Sequence, residues 1–150
     1  MKVEWVALAD GVGQDARGAV TAIALSQNVF PTPTLPAVTK RAVVIHITAE
    51  PGALKPGDSF GVTFNVCDPH GKVINAQSGQ VVVGPTAWPD LPVVADVPAE
   101  MMVNVTEYGT YRIEVTIRPN VGEEIVRSVE FYVKEPNLAA ENDSATYFGR

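Results

Sequence analysis

Between residues 109 and 118 the chain alternates without a break. Tyr111, Ile113, Val115 and Ile117 are apolar or aromatic, and Arg112, Glu114, Thr116 and Arg118 between and beside them are polar. Strand side chains point to opposite faces in turn, so the pattern predicts a β-strand with one dry face and one wet face. An α-helix would spread both sets around its circumference. The dry face must be covered, so the chain has to supply a second apolar layer.

The same period recurs elsewhere. Val43, Ile45 and Ile47 alternate with Val44, His46 and Thr48; Phe60, Val62, Phe64 and Val66 alternate with Gly61, Thr63, Asn65 and Cys67. Met101, Val103 and Val105 predict one further strand, and Val129, Phe131 and Val133 another. Val81, Val82 and Val83 are consecutive and predict a stretch buried on both faces. Pro56-Gly57-Asp58, Asp68-Pro69-His70-Gly71 and Asn120-Val121-Gly122 mark turns between these runs.

Residues 2–9 and 19–30 predict the two strands of an N-terminal hairpin, turned through Gly11, Gly13, Asp15 and Gly18. Pro31, Pro33 and Pro36 then make residues 31–36 an extended connector. The count comes to roughly nine or ten short strands, the spacing of an all-β sandwich or barrel. No segment has helical periodicity, and no internal repeat is evident. The expected organisation is one β-sandwich domain over residues 1–136, with the added hairpin at 1–30. A polar tail follows at 137–150.

Composition narrows the function. The net charge is −6, with 11 Lys and Arg against 17 Asp and Glu, and an acidic surface repels a phosphate backbone, so no nucleic-acid partner is expected. The single cysteine, Cys67, permits no intrachain disulfide and reads as a structural thiol. Glu4 interrupts the short apolar start, which does not read as a secretion signal. No run approaches the ~18 apolar residues of a membrane-spanning helix. The expected location is the cytoplasm, or a virion assembled there, with no membrane partner.

The stretch from about Pro56 to Val133 resembles bacterial immunoglobulin-like sandwich domains. The resemblance rests on the Pro56-Gly57-Asp58 turn before Phe60, the Asp68-Pro69-His70-Gly71 turn, and Gly109-Thr110-Tyr111. It implies a tyrosine corner, in which the Tyr111 hydroxyl bonds to backbone just upstream. Ile113 stands where the antibody-type cysteine would be. The whole chain is also similar to a family of uncharacterised bacterial and viral all-β proteins of this size, through Leu8-Ala9-Asp10, the glycine-containing turn and the Pro-rich segment. That similarity implies no activity.

Candidate chemistry is sparse. Gly11-Val12-Gly13-Gln14-Asp15-Ala16 fits the loose dinucleotide pattern, but the residues after it are weak as a helix and 30–40 hold no carboxylate for a ribose; a turn is the expectation. His46 and His70 lack a second ligand at a metal-binding spacing. No cofactor and no metal are expected, and an enzyme would have to gather distant groups such as Asp10, His46 and Asp68. Trp5 alternates with Val3 and Ala7 and is expected in the core. Trp88, followed by Asp90 in a proline-rich loop, can anchor an interface, stack on a sugar or cap one end of the sandwich. Tyr147 and Phe148 in the tail can anchor on a neighbouring subunit. The expected function is a non-catalytic structural or interaction module working through a protein partner or self-assembly, its sharpest form a decoration or accessory component of a viral particle or similar assembly. The alternative is a small-ligand or carbohydrate-binding module in which Trp88 and an Asp90–Pro98 loop form the site.

Overall fold

The computed structural model describes residues 1–25 and 28–137. They form ten strands: β1 (Lys2–Ala9), β2 (Gly11–Gln14), β3 (Val20–Ile23), β4 (Val29–Pro31), β5 (Ala37–Ala49), β6 (Ser59–Cys67), β7 (Val73–Val82), β8 (Val93–Val105), β9 (Gly109–Pro119) and β10 (Ile125–Lys134). No helix among the described residues is long and apolar enough to cross a membrane. One sheet runs β1-β5-β8, a second runs β4-β10-β9-β6-β7, and β2 and β3 form a separate hairpin. The chain is all-β and its two larger sheets face each other as in a sandwich.

What joins the sheets is one apolar interior. Ile113, Val115 and Ile117 of β9 meet Phe60, Val62, Phe64 and Val66 of β6, Val43, Ile45 and Ile47 of β5, and Met101, Val103 and Val105 of β8 in a single cluster. Burying each of these side chains contributes about 1.5–3 kcal/mol. β9 lies between β10 and β6, paired antiparallel with both, which is why its alternation is the cleanest in the chain. At the start of β9, Gly109 has φ +145°, and a Cβ there would come within 2.9 Å of Pro69 Cγ. Only glycine fits.

The N-terminal segment departs from the expected hairpin of 2–9 with 19–30. β1 instead pairs antiparallel with β5, β4 adds to β10 in parallel, and the hairpin shrinks to β2 and β3. The apolar residues of β1 gain more by joining the core than by facing a short polar partner. Ala9 and Ala42, paired across β1 and β5, are fully buried although they lie on the face away from the core; β2 packs across β5 and β8 on that side. Glu100 ties the hairpin down, accepting from Val12 N at 3.1 Å and from Lys40 Nζ at 3.2 Å.

Val81, Val82 and Val83 are not buried on both faces. β7 is an edge strand, and Val82 is 63% exposed.

One charge is buried in the core layer. Arg41 shares the inward face of β5 with Val43 and is 3% exposed. Its guanidinium carbon sits 5.4 Å from the ring centres of both Phe30 and Phe131, and Nη1 donates to Asp10 Oδ1 at 2.8 Å. Burial pushes the guanidinium below its ordinary value, and Asp10 opposes the shift. Among the described residues Arg41 Nε has no partner. This cluster links the β1–β2 bend, β4, β5 and β10.

Two outcomes follow. Removing Asp10 strands a buried cation, whereas replacing Arg41 by an apolar side chain removes the desolvation cost together with the pair. Asp10→Ala is expected to lower the unfolding free energy by about 2–4 kcal/mol and Arg41→Met by less than about 1.5 kcal/mol, read by urea denaturation; the reverse order would contradict the packing described. Separately, the Val12 and Lys40 hydrogen bonds hold the Glu100 carboxyl below the ordinary glutamate range. A carboxylate with a depressed folded value stabilises the hairpin above its unfolded value and ceases to do so as the pH falls through the folded one. Hydrogen-exchange protection of Val12 is expected to hold at neutral pH and fall on acidification below the glutamate range, with the drop from this source absent in Glu100→Gln.

Candidate functional site

A cleft of about 510 Å³ opens where β6 and β8 begin and β7 ends. Ile47 and Phe60, both buried, belong to the core beneath it. The end of β7 supplies Val81 and Val82, the start of β8 supplies Val93 to Ala95, and the 84–92 loop brings Trp88 and Leu91. Every lining side chain is uncharged, and the Thr86 hydroxyl and the Trp88 indole N–H are the polar groups among them. The volume falls within the ~300–1,000 Å³ typical of ligand clefts.

Local sequence explains the loop. Pro85, Pro89 and Pro92 fix φ and remove donors, so neither helix nor ladder can form there. Trp88 N donates to Thr86 Oγ1 at 3.1 Å, and Leu91 N donates to Trp88 O at 3.2 Å, closing a tight turn. Trp88 is 67% exposed, and Val82, Leu91 and Val94 are each more than half exposed. Val82 pairs with Ser59 and Val94 with Thr48, so these two side chains point to the outer faces of opposite sheets, and the exposed apolar side chains at the cleft mouth are Trp88 and Leu91.

The cleft also lies at a seam. β7 pairs with β6 alone and β8 with β5 alone. Among the described residues no backbone hydrogen bond joins β7 to β8. Near the far end of the seam Asn75 Nδ2 donates to Met102 O at 2.7 Å. Toward the cleft two strand edges carry backbone groups without a neighbouring strand, a geometry that accepts an added strand.

The other candidate residues are scattered. Asp90 lies in the Trp88 turn, exposed, and is not part of the cleft lining, and the expected 90–98 loop is strand β8 from Val93 onward, held by its pairing with β5. The Tyr111 hydroxyl is at the opposite end of the sheets; it donates to Glu107 O at 3.1 Å and accepts from Thr106 N at 3.2 Å and Glu107 N at 3.4 Å. Tyr147 and Phe148 lie outside the described residues. Asp10, His46 and Asp68 are not gathered: Asp10 pairs with Arg41, His46 Nδ1 with Asp96 Oδ1 at 2.7 Å, and Asp68 accepts from His70 N and Lys72 N in a turn. His70 reaches Glu107 instead. Cys67 is free and buried. Gly11 and Gly13 lie in β2, with no helix after them. Among the described residues no group of three or more His, Cys, Asp or Glu side chains converges to hold a metal.

Trp5 is not in the core. The β1–β5 register shifts between Val3 and Trp5, and a bulge of one residue moves the following side chain to the other face. Trp5 therefore lies on the outer face, 42% exposed, stacked on His46 with centroids 4.9 Å apart and planes 6° apart. Nothing in the period-two pattern marks that bulge.

Comparison with known proteins returns no matching family model, no curated relative and no similar solved structure.

Exposure and bonding separate the two aromatic residues sharply. Tyr111→Phe leaves two partly buried backbone donors and one acceptor without their partner and is expected to lower the unfolding free energy by about 0.5–1.5 kcal/mol. Trp88→Ala removes a side chain that faces solvent and is expected to change it by no more than about 0.5 kcal/mol. Chemical denaturation of both variants checks this; a large loss on Trp88→Ala would mean that the tryptophan is a structural cap.

Proposed function

We propose that this chain is a non-catalytic interaction module, built as an immunoglobulin-like sandwich, that engages a protein partner at the Trp88 end. The observation that carries the reading is the uncharged cleft bordered by two strand edges. A ligand that matches it brings apolar side chains for the cleft and backbone groups for the edges, which describes an extended peptide segment.

Two features support the immunoglobulin-like part. Taking β1, β5, β6, β7, β8, β9 and β10 as strands A, B, C, C′, E, F and G places A, B and E in one sheet and C′, C, F and G in the other, the order of that architecture with strand D absent. The Tyr111 hydroxyl bonds to the backbone of Glu107, four residues upstream, in the manner of a tyrosine corner. A decoration or accessory subunit of a viral particle or similar assembly remains the sharpest form of the proposal, since such a subunit works through surface contacts alone.

The carbohydrate alternative has less behind it. A saccharide needs several directed polar side chains beside its stacking aromatic, and the cleft offers one hydroxyl, already used by Trp88 N, and one indole N–H.

Selection from a random peptide library on the full chain tests the reading. Enriched sequences are expected to be uncharged and apolar, to perturb tryptophan fluorescence, and to lose binding in Trp88→Ala but not in Trp5→Ala. Failure to enrich any peptide, together with a Trp88-dependent response on a glycan array, would favour the carbohydrate module instead.

A further inference from the structure

We infer that the cleft beside Trp88 receives residues 145–148 (Ala-Thr-Tyr-Phe) of a second copy of this chain. The inference rests on the peptide-binding reading above and names the occupant.

Chemistry selects the segment. Residues 144–149 read Ser-Ala-Thr-Tyr-Phe-Gly and carry no charge, while Asp143 and Arg150 flank them. An uncharged lining strips water from whatever enters, so a charged segment would be expelled and a neutral one retained. Thr, Tyr and Phe favour the extended conformation that an edge strand accepts, and Tyr147 and Phe148 supply the large aromatic area that interface anchors use. Successive strand residues point to opposite sides, so one aromatic can enter the cleft while its neighbour lies against exposed Leu91 at its mouth.

Chain length decides between the molecule's own cleft and a neighbour's. β10 ends at the side of the sheets remote from the cleft: Val133 pairs with Gly109, whereas Phe60, at the cleft, pairs with Pro119. β10 has 10 residues, about 30 Å of strand at ~3.3 Å per residue. β9 and β6 separate β10 from β7, about 14 Å more across the sheet at ~4.8 Å per strand. From Asn137 to Tyr147 a fully extended chain spans at most about 36 Å. The straight line to the cleft uses nearly all of that reach, and the real path has to go around the body of the sheets. The segment therefore arrives at the cleft of its own molecule only with the linking residues stretched to their limit, whereas a neighbour's cleft can be met by a relaxed chain.

A contact between one end of a molecule and the tail of the next is heterologous. It generates a ring where the rotation closes and an open string where it does not. Both suit a component that joins copies within a larger assembly.

The test uses the full-length chain and two variants, with solution mass measured by light scattering from micromolar to millimolar concentration. One variant is Tyr147→Ser with Phe148→Ser, which spoils the tail; the other is Trp88→Ala with Leu91→Asp, which spoils the cleft at two solvent-exposed positions. Circular dichroism checks that both remain folded. The unaltered chain is expected to gain mass with concentration, and each variant alone to show a dissociation constant raised at least about tenfold. Mixed together, the variants are expected to form a complex that stops at two chains, because one intact tail and one intact cleft remain. An unaltered chain that stays monomeric throughout overturns the inference. Association lost in the cleft variant but kept in the tail variant also overturns it, while leaving the cleft as a site for another partner. Association indifferent to both variants overturns the occupant and the cleft reading alike.

Discussion

The inward residues of β9, β6 and β10 can leave water only if those of β5 and β8 leave with them, and most of the architecture follows from that requirement. Tyr111, Ile113, Val115 and Ile117 are each no more than 1% exposed, a state that no single sheet could give them. Strands that contribute to this interior are long and regular. Those that contribute little are short: β2, β3 and β4 are three or four residues each, and of these β4 adds the partly buried Phe30. Arg41 is the exception inside the layer. Two phenyl rings and one carboxylate compensate it, and in doing so they fasten the first thirty or so residues to both sheets.

Closing two twisted sheets over one core leaves edges. On one side β1 packs near β10 and the margin is covered. On the other side β7 and β8 meet at Asn75 and Met102 and separate toward the cleft. Natural sheets usually blunt such edges with charge, proline or a bulge. β8 does contain Pro98 at its middle, and β7 contains Gly79, but Val93, Val94 and Ala95 carry neither charge nor proline. An edge left open next to exposed Trp88 and Leu91 can accept an added strand, and the proposed contact rests on that. The functional reading turns on that juxtaposition rather than on any single residue.

The period-two signal made β5, β6, β9 and β10 legible in the sequence, because each has a partner on both sides and one face in the core, so local pattern and tertiary burial agree. It misled at Trp5, where a bulge reverses the parity without leaving a glycine or proline to announce it. It misled at Val81 to Val83, where three valines in a row look buried but lie on an edge. Residues 2–9 and 19–30 do not pair as a hairpin, because β1 has a better apolar partner in β5 than in the short polar segment that follows it. Arg41 was invisible, since its partner Asp10 is brought to it only by the β1–β5 register. Trp88 was readable as a loop tryptophan. The cleft was not, because its lining comes from the end of β5, the start of β6, the end of β7, the 84–92 loop and the start of β8, and no local pattern connects them.

Amide hydrogen exchange, followed by mass spectrometry on the full-length chain at low and high concentration, locates the surface that associates. Association is expected to slow exchange at residues 93–95 of β8 and in the 84–91 loop, with the β2–β3 hairpin and the Trp5–His46 face unchanged. Protection that appears on the hairpin or on the Trp5 face instead, or none at any concentration with any bound peptide, would contradict association at the cleft.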